Sequence, residues 1–485
     1  MPRWFLPLLL LLPVLVPAVP AAAAAPARPN VLFILADDLA ATLGSFGHPL
    51  AQTPHLDALA RRGVRFDRAY CQFPHCNPSR ASLLAGMRPH TTGVTVNADD
   101  LYRNLPGVVT LPTHFRRHGY TTARAGKIFH LGVPSGDESR DDPQAWDFGT
   151  PFKDERPYPP KRPSAVQVPT GRREGLSWEE SVAGDDDLVD GGFAREAIAW
   201  LGRRDRSKPF FLAVGFHRPH LPFVAPAKYY DLYPFERITL PAEPADDVAD
   251  IPLPARNEAV PQYAMTATPD QRRAAIRAYL ATVSYMDAQA GRLLAALERE
   301  GVAEQTLIVF TGDHGWHLGE HGLWHKRSLF EESARVPLIV FAPGAAGNGR
   351  ASRSVVELLD LYPTLCDLAG LPAPAALEGK SLRPLLADPA ARLHEGAFTQ
   401  ARRGPKAEHW GRSVRTERWR CTEWDEGRNG LELYDHANDP GEFTNLAGDP
   451  RHAATLRELR ARLAARLPAP KAPRTGPSSR PPQGF

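Results

Sequence analysis

Along this chain, short apolar runs rich in β-branched and aromatic residues alternate with longer stretches whose apolar positions recur every three or four residues. That alternation predicts strands and helices in turn, and so a mostly parallel sheet covered by helices. Residues 30–35 read as a buried strand, and residues 54–62 as a helix that Gly63 ends. Residues 120–125, 209–214 and 306–310 read as further buried strands. Between the last two, residues 270–300 carry Ile276, Leu280, Val283 and Met286 at helical spacing, a stripe that predicts core packing with no chemistry attached. From about Leu393 the texture changes to short strands and turns at 412–415, 419–422 and 432–435, followed by the turn-rich Asn438-Asp439-Pro440-Gly441 and a helix over 450–467. The expected fold class is α/β. A large, mostly parallel sheet flanked by helices is expected over 26–390, with a smaller C-terminal β-rich α+β domain and its closing helix over 391–467. Residues 468–485, rich in Pro, Gly, Ser and basic side chains, are expected to be a disordered tail.

The N-terminus adds a destination. Met1-Pro2-Arg3 leads into an apolar run over 4–19 and then Ala21 to Ala25, the order of a secretory signal peptide over 1–25. The run is short for a span of about 20 residues, and prolines at 7, 13 and 17 interrupt it, so a permanent anchor is the weaker reading. The expectation is export, periplasmic or secreted, with no stable membrane insertion after signal cleavage. Lys plus Arg number 58 against 55 Asp plus Glu, so the whole-chain balance makes no case for nucleic acid, and any anion-binding patch has to be local. With only Cys71, Cys76, Cys366 and Cys421 in 485 residues, a disulfide-built fold is excluded. Cys366, inside the helical pattern 361–368, is expected to be a buried small hydrophobe.

Polar residues follow directly on four of the expected strands: Asp37 and Asp38; Lys127 and His130; His217 and His220; Asp313 and His314. In open α/β sheets the ligand lies beyond the carboxyl ends of the strands, so these four sets can meet in one crevice. One such pair alone reads as a cap or turn; four together read as a site. Asp37, Asp38 and Asp313 supply the oxygen ligands that a hard divalent cation such as Ca²⁺ needs. His314, a softer donor, either ligates or hydrogen-bonds to substrate.

The segment Cys76-Asn77-Pro78-Ser79-Arg80-Ala81-Ser82-Leu83-Leu84-Ala85-Gly86 resembles the sulfatase signature C-x-P-S-R-x-x-L-L-x-G. Pro78 suits the first turn of a helix and leaves Cys76 at an exposed helix start, where the dipole and free N–H groups favour an anion. Arg80 adds a positive fork. Residues 29–39, 53–57, 126–130, 215–220 and 313–326, together with Leu433-Tyr434-Asp435 and Asp439-Pro440-Gly441-Glu442, are similar to the iduronate-2-sulfatase-like branch of the formylglycine-dependent sulfatases.

That resemblance implies an alkaline phosphatase/sulfatase-like fold and a sulfuric ester hydrolase acting on sulfated saccharides. It implies that Cys76 is oxidised to formylglycine by a formylglycine-generating or anaerobic sulfatase-maturating enzyme. It assigns one Ca²⁺ to Asp37, Asp38, residue 76, Asp313 and His314. Lys127, His130, His217 and Lys326 would hold the sulfate and the hydrated aldehyde, with Arg80 beside them, while Asp142, Trp316 and Lys326 would face the sugar. One departure concerns specificity: the resembled branch carries an Arg-x-Tyr step where this chain has Gly93-Val94-Thr95, so the sugar does not carry over. Rival readings are a formylglycine-dependent phosphonate monoester or phosphodiester hydrolase, a choline sulfatase, and, with Cys76 unmodified, an inactive sulfoglycan-binding protein.

Overall fold

The computed structural model describes Met1 and residues 28–130, 141, 142, 144–149, 176–256, 267–404 and 408–468. The expected signal segment after Met1 and the expected tail after residue 468 lie outside the described residues. Eight strands form the principal sheet, in the spatial order Ala351–Glu357, Val64–Tyr70, Arg335–Phe341, Thr306–Gly312, Asn30–Asp37, Phe210–Pro219, Thr121–Gly126 and Phe148–Gly149. Neighbours run parallel except at Arg335–Phe341, which is antiparallel to both of its partners.

The central strands are apolar because helices cover both faces. Alternation along Asn30–Asp37 sends Leu32, Ile34 and Ala36 into one core and Val31, Phe33 and Leu35 into the other. The first core is covered by the helices Val189–Arg203 and Pro269–Arg299; the second by Cys76–Ala85, Leu111–Arg117 and Leu361–Leu368. Pro269–Arg299 starts where the sequence places a start. Thr268 and Gln271 form a capping box, Pro269 fills the first turn, and Ile276, Leu280, Val283 and Met286 are buried. Several elements were not anticipated. Val64–Tyr70 interleaves charged residues with apolar ones, and Arg335–Phe341 contains Pro337, which argues against an interior strand. The structure accommodates Pro337 where the register with Val64–Tyr70 shifts, between Val336 and Leu338.

The strands Ala397–Arg403, His409–Arg415, Trp419–Trp424 and Leu431–Asp435 form an antiparallel sheet in that order, and the helix Ala453–Arg466 buries Leu459 and Leu463 against it. This smaller sheet is pinned to the larger one by buried charge: Arg420 bridges Glu442 and Glu331, both within reach of its guanidinium. Its first strand also lies along the segment that leads to Cys76. Gln400 N donates to Gln72 O at 2.9 Å and Thr399 Oγ1 to Cys71 O at 2.8 Å. All four cysteines are free and buried, Cys366 within Leu361–Leu368. No described helix is long and apolar enough to cross a membrane.

Thr306–Gly312, Asn30–Asp37, Phe210–Pro219 and Thr121–Gly126 are consecutive in the sheet and parallel, so their carboxyl ends open at one edge. Two glycines let the chain cross there. A Cβ on Gly215 would lie 1.8 Å from Lys127 O, and Gly126, at φ +75°, would put one 2.2 Å from Gly215 O.

Candidate active site

The four sets of polar residues do converge. Cys76 begins the helix Cys76–Ala85 after an extended His75, but the whole helix is buried and Cys76 is only 1% exposed, a correction to the exposed start that the sequence suggested. Its Sγ lies 3.2 Å from Lys326 Nζ and 3.4 Å from His314 Nε2. Burial and Asp37 push the thiol pKa up, but Lys127, Lys326 and His314 outweigh them and hold it below its ordinary value.

Around the sulfur stand three carboxylates. Asp37 Oδ2 accepts from Lys127 Nζ, and Asp38 Oδ1 from Lys326 Nζ. Asp313 Oδ1 accepts from the amides of Asp38 at 3.1 Å and His314 at 2.9 Å, while its Oδ2 accepts from Arg80 Nε at 2.7 Å. Asp38 leaves the strand in the left-handed region, at φ 62°, a conformation that Asp tolerates better than most residues. Burial raises the Asp37 carboxyl, yet Lys127 and Arg80 together draw it well below the usual range. Asp38 goes the other way: burial, with Asp37 adding repulsion against the pull of Lys326, pushes it up to about 8. Burial alone would lower the pKa of His314, but Asp313 raises it to about 9.

These residues fit a hard divalent cation. The ligand atoms of Asp37, Cys76, Asp313 and His314 all lie within 4.8 Å of one another, and the buried Asp37 Oδ1 and Asp38 Oδ2 have no hydrogen-bond partner. Oxygen ligands at about 2.3–2.6 Å from a common centre can be that far apart. A cation would satisfy the orphaned oxygens and relieve the repulsion that raises Asp38.

Four expected roles change. Arg80 is fully buried and spends its fork on Asp313, on the carbonyls of Lys127 and Ile128, and, at 3.6 Å, on Asp37. It positions carboxylates and the Lys127 loop, and its Nη2 alone is left without a hydrogen-bond partner. Asp142 is not in the cluster. It is 3% exposed, and its carboxylate takes the hydroxyls of Thr110 and Thr113 and, at 2.9 Å, the amide of Gln144, so it shapes a loop at a helix start. Trp316 offers no face to a sugar either. Its ring is 2% exposed, packed on Phe223 and His325, with Lys326 Nζ 5.5 Å from its centroid. Lys326 is likewise turned inward, onto Asp38 and Cys76. His325 and Arg327 flank it at φ 71° and 80°, strain that fixes its direction. Trp316→Phe, which keeps a ring against the ammonium, is therefore expected to lower kcat/KM by roughly the same three- to tenfold on a small aryl sulfate and on a saccharide. A loss confined to the saccharide would restore the sugar-facing role.

The imidazoles of His130, His217 and His220 sit on the remaining side. Burial comes first in holding all three well below the usual range, reinforced by Lys127 at His130, Arg218 at His217 and Lys326 at His220. Asp190 fixes the turn that carries two of them, accepting from the amides of His217 and Arg218 at 2.8 Å each. His220, absent from the expected ligand and catalytic sets, belongs here. Its Nδ1 donates to Leu221 O at 2.6 Å, which assigns the lone pair to Nε2, 3.7 Å from Asp38 Oδ2 and directed at the cluster. Its signal was available: it follows His217 by three residues at the end of the same strand.

Comparison with known proteins gives a consistent picture. The family model described as Sulfatase matches residues 29–371, and the one described as N-sulphoglucosamine sulphohydrolase, C-terminal, matches residues 319–467. The chain is 33% identical to the iduronate 2-sulfatase of Mus musculus, over 89% of this chain and 93% of that one. Among solved structures it resembles a 2-O GAG sulfatase with a TM-score of 0.70 at 28% identity, over 90% of this chain and 91% of that one. The phosphonate monoester hydrolase of Agrobacterium radiobacter is similar to the same degree, with a TM-score of 0.70 at 27% identity, over 90% and 95%.

Proposed function

The chain belongs to the sulfatase family and is a sulfuric ester hydrolase, and from that premise we propose how its own residues work and on what. Members of the family use a formylglycine and a divalent metal ion; here we assign the first to oxidised Cys76 and the second to Ca²⁺ held by Asp37, Asp38, Asp313 and His314, with residue 76 adjoining. The observation that carries the assignment is the meeting of Cys76, three carboxylates and two lysines at one buried helix N-terminus. Once in place, the formylglycine supplies the oxygen that attacks sulfur, and the cation supplies positive charge to that oxygen and to the sulfuryl group.

The chain's side chains do the rest. Lys127 and Lys326, fixed beside the reacting position by Asp37 and Asp38, oppose the charge that spreads over the sulfuryl oxygens. His130 donates to one of those oxygens. His217, whose backbone amide is held by Asp190, would carry a proton taken up from solvent to the departing alcohol oxygen and return to the neutral form. The helix Cys76–Ala85 starts at the same place, so the positive end of its dipole favours the anion, although Asn77 N is engaged by Asn97 Oδ1 at 3.1 Å and Ser79 N by His75 O at 2.9 Å. Asp313 and Arg80 orient the set through Arg80 Nε on Asp313 and Nη1 on the Lys127 and Ile128 carbonyls.

The substrate proposed is a sulfated saccharide, supported by the likeness to iduronate 2-sulfatase and to a 2-O GAG sulfatase. Maturation of residue 76 calls for a formylglycine-generating or anaerobic maturating enzyme as a transient partner, and the apolar N-terminal pattern supports export. The test is release of inorganic sulfate from defined sulfated disaccharides by protein co-expressed with a maturating enzyme. Turnover of at least one of them is expected. Efficient cleavage of choline sulfate, or of a phosphonate monoester or phosphodiester, with none of any sulfated saccharide, would reassign the substrate.

A further inference from the structure

Lys326 holds its ammonium on Asp38 and 3.2 Å from Cys76 Sγ, an aim that the flexible four-carbon stem of a lysine does not set by itself. The backbone sets it. Residues 325 and 327 are not glycine, yet they stand in the left-handed region at φ 71° and 80°, and such angles persist only where the surroundings over-determine them. The loop that carries Lys326 is closed at its base, where Gly315 N donates to Ser333 O at 2.9 Å and Trp316 N to Glu332 O at 2.7 Å. Inside the loop the short strands His317–Leu318 and Trp324–His325 pair antiparallel, with His317 opposite His325. That ladder stops just before Lys326. Just after it, Ser328 Oγ lies 2.6 Å from His317 Nε2 and accepts from Phe330 N at 3.3 Å. His317 therefore grips the chain on both sides of Lys326, through its backbone before the lysine and through its ring after it. His317 is 0% and Ser328 1% exposed, so water does not stand in for the contact.

We propose that His317 and Ser328 are positioning residues for sulfuryl transfer, a clamp across Lys326 that keeps its ammonium pointed at residue 76. This rests on the role given to Lys326 above. Burial, reinforced by His321, holds the His317 imidazole well below its usual range, so the ring is neutral and adds no charge near the ammonium. Its contribution is geometrical. The edge of the ring meets Phe330, with centroids 6.3 Å apart, which leaves the imidazole fixed from a second side. Shortening Ser328 to alanine removes the one side-chain link between the two flanks of the lysine, so the left-handed steps at 325 and 327 lose a restraint and the ammonium strays from its place. Because Lys326 opposes charge that grows as the sulfuryl group is transferred, the loss falls on kcat more than on KM.

The experiment measures kcat and KM on a small aryl sulfate for Ser328→Ala, Ser328→Thr, Lys326→Ala and the double variant of Ser328→Ala with Lys326→Ala, each corrected for the aldehyde content at residue 76. Ser328→Ala is expected to lower kcat by on the order of 10-fold with KM kept within about twofold, while Ser328→Thr, which keeps the hydroxyl, retains most of kcat. In the Lys326→Ala background, Ser328→Ala is expected to cost little more, because a clamp with no ammonium to aim has nothing left to do. A residue that only supports the fold would cost the same in both backgrounds. His317→Gln, whose amide reaches the place of Nε2, repeats the comparison from the other side of the contact and is expected to lose less than His317→Ala. An unchanged kcat in Ser328→Ala, or an equal loss with and without Lys326, overturns the clamp and leaves the role of Lys326 standing. An unchanged kcat in Lys326→Ala overturns both.

Discussion

Cys76→Ala is expected to abolish sulfate release, by on the order of ten-thousandfold or more, while the unfolding midpoint moves little. The first half follows from chemistry. The proposed nucleophile is made from this side chain, and alanine provides no carbon that can be oxidised to an aldehyde and hydrated. The second half follows from packing. Cys76 is buried, but its neighbours within reach are Lys326 and His314, polar groups that gain no hydrophobic contact from the sulfur. Removing it takes away a thiol whose ionised form is favoured there, and Asp37, Asp38 and Asp313 remain as counter-charges for the lysines and for Arg80. Peptide mass spectrometry of the active, unaltered enzyme is expected to show the aldehyde at residue 76. Full activity from protein carrying only the free thiol there would refute the assignment. Cys71, buried beside Ser333 and with its thiol pushed up by burial, is expected to tolerate Ser with retained turnover.

How far the sequence could be read depends on which physical signal each residue gives. The central strands were legible because both of their faces are covered, so they appear as unbroken apolar runs between turn residues. Val64–Tyr70 and Arg335–Phe341 were not, because alternating charge and an interior proline break the pattern that marks a strand. At the site, residues placed just beyond parallel strands could be found from chain position alone, and Asp37, Asp38, Lys127, His130, His217, Asp313 and His314 all come to the same edge. Direction could not be read in this way. Trp316 and Lys326 lie where expected along the chain, but the left-handed backbone at His325 and Arg327 turns the lysine inward, and the indole follows it as packing. Asp142 shows the same limit: nothing local to the Asp141-Asp142 pair reveals that Thr110 and Thr113 wait across the loop.

The metal assignment is tested best at Asp37. Asp313→Asn is the harsher change but the poorer probe, because both oxygens of Asp313 accept from fixed donors, two amides on one side and Arg80 on the other. An amide NH₂ must then face a donor whichever way it turns, so the site distorts whether or not a metal matters. At Asp37 the two oxygens differ. Oδ2 takes Lys127, which an amide oxygen would also satisfy, while Oδ1 lies among the converging ligands without a hydrogen-bond partner. Asp37→Asn is therefore expected to keep the fold and the Lys127 contact while placing a donor, and one negative charge fewer, where the cation would bind. Metal retained after gel filtration and kcat are expected to fall together, kcat by on the order of 100-fold or more. Exhaustive chelation of the unaltered enzyme is expected to remove activity, and Ca²⁺ to restore it. Full activity after chelation would refute the requirement for any metal, and elemental analysis finding only zinc would refute calcium. Loss of kcat in Asp37→Asn with calcium still bound at full occupancy would assign Asp37 to Lys127 alone, as the anchor of the ammonium that meets the sulfuryl oxygens.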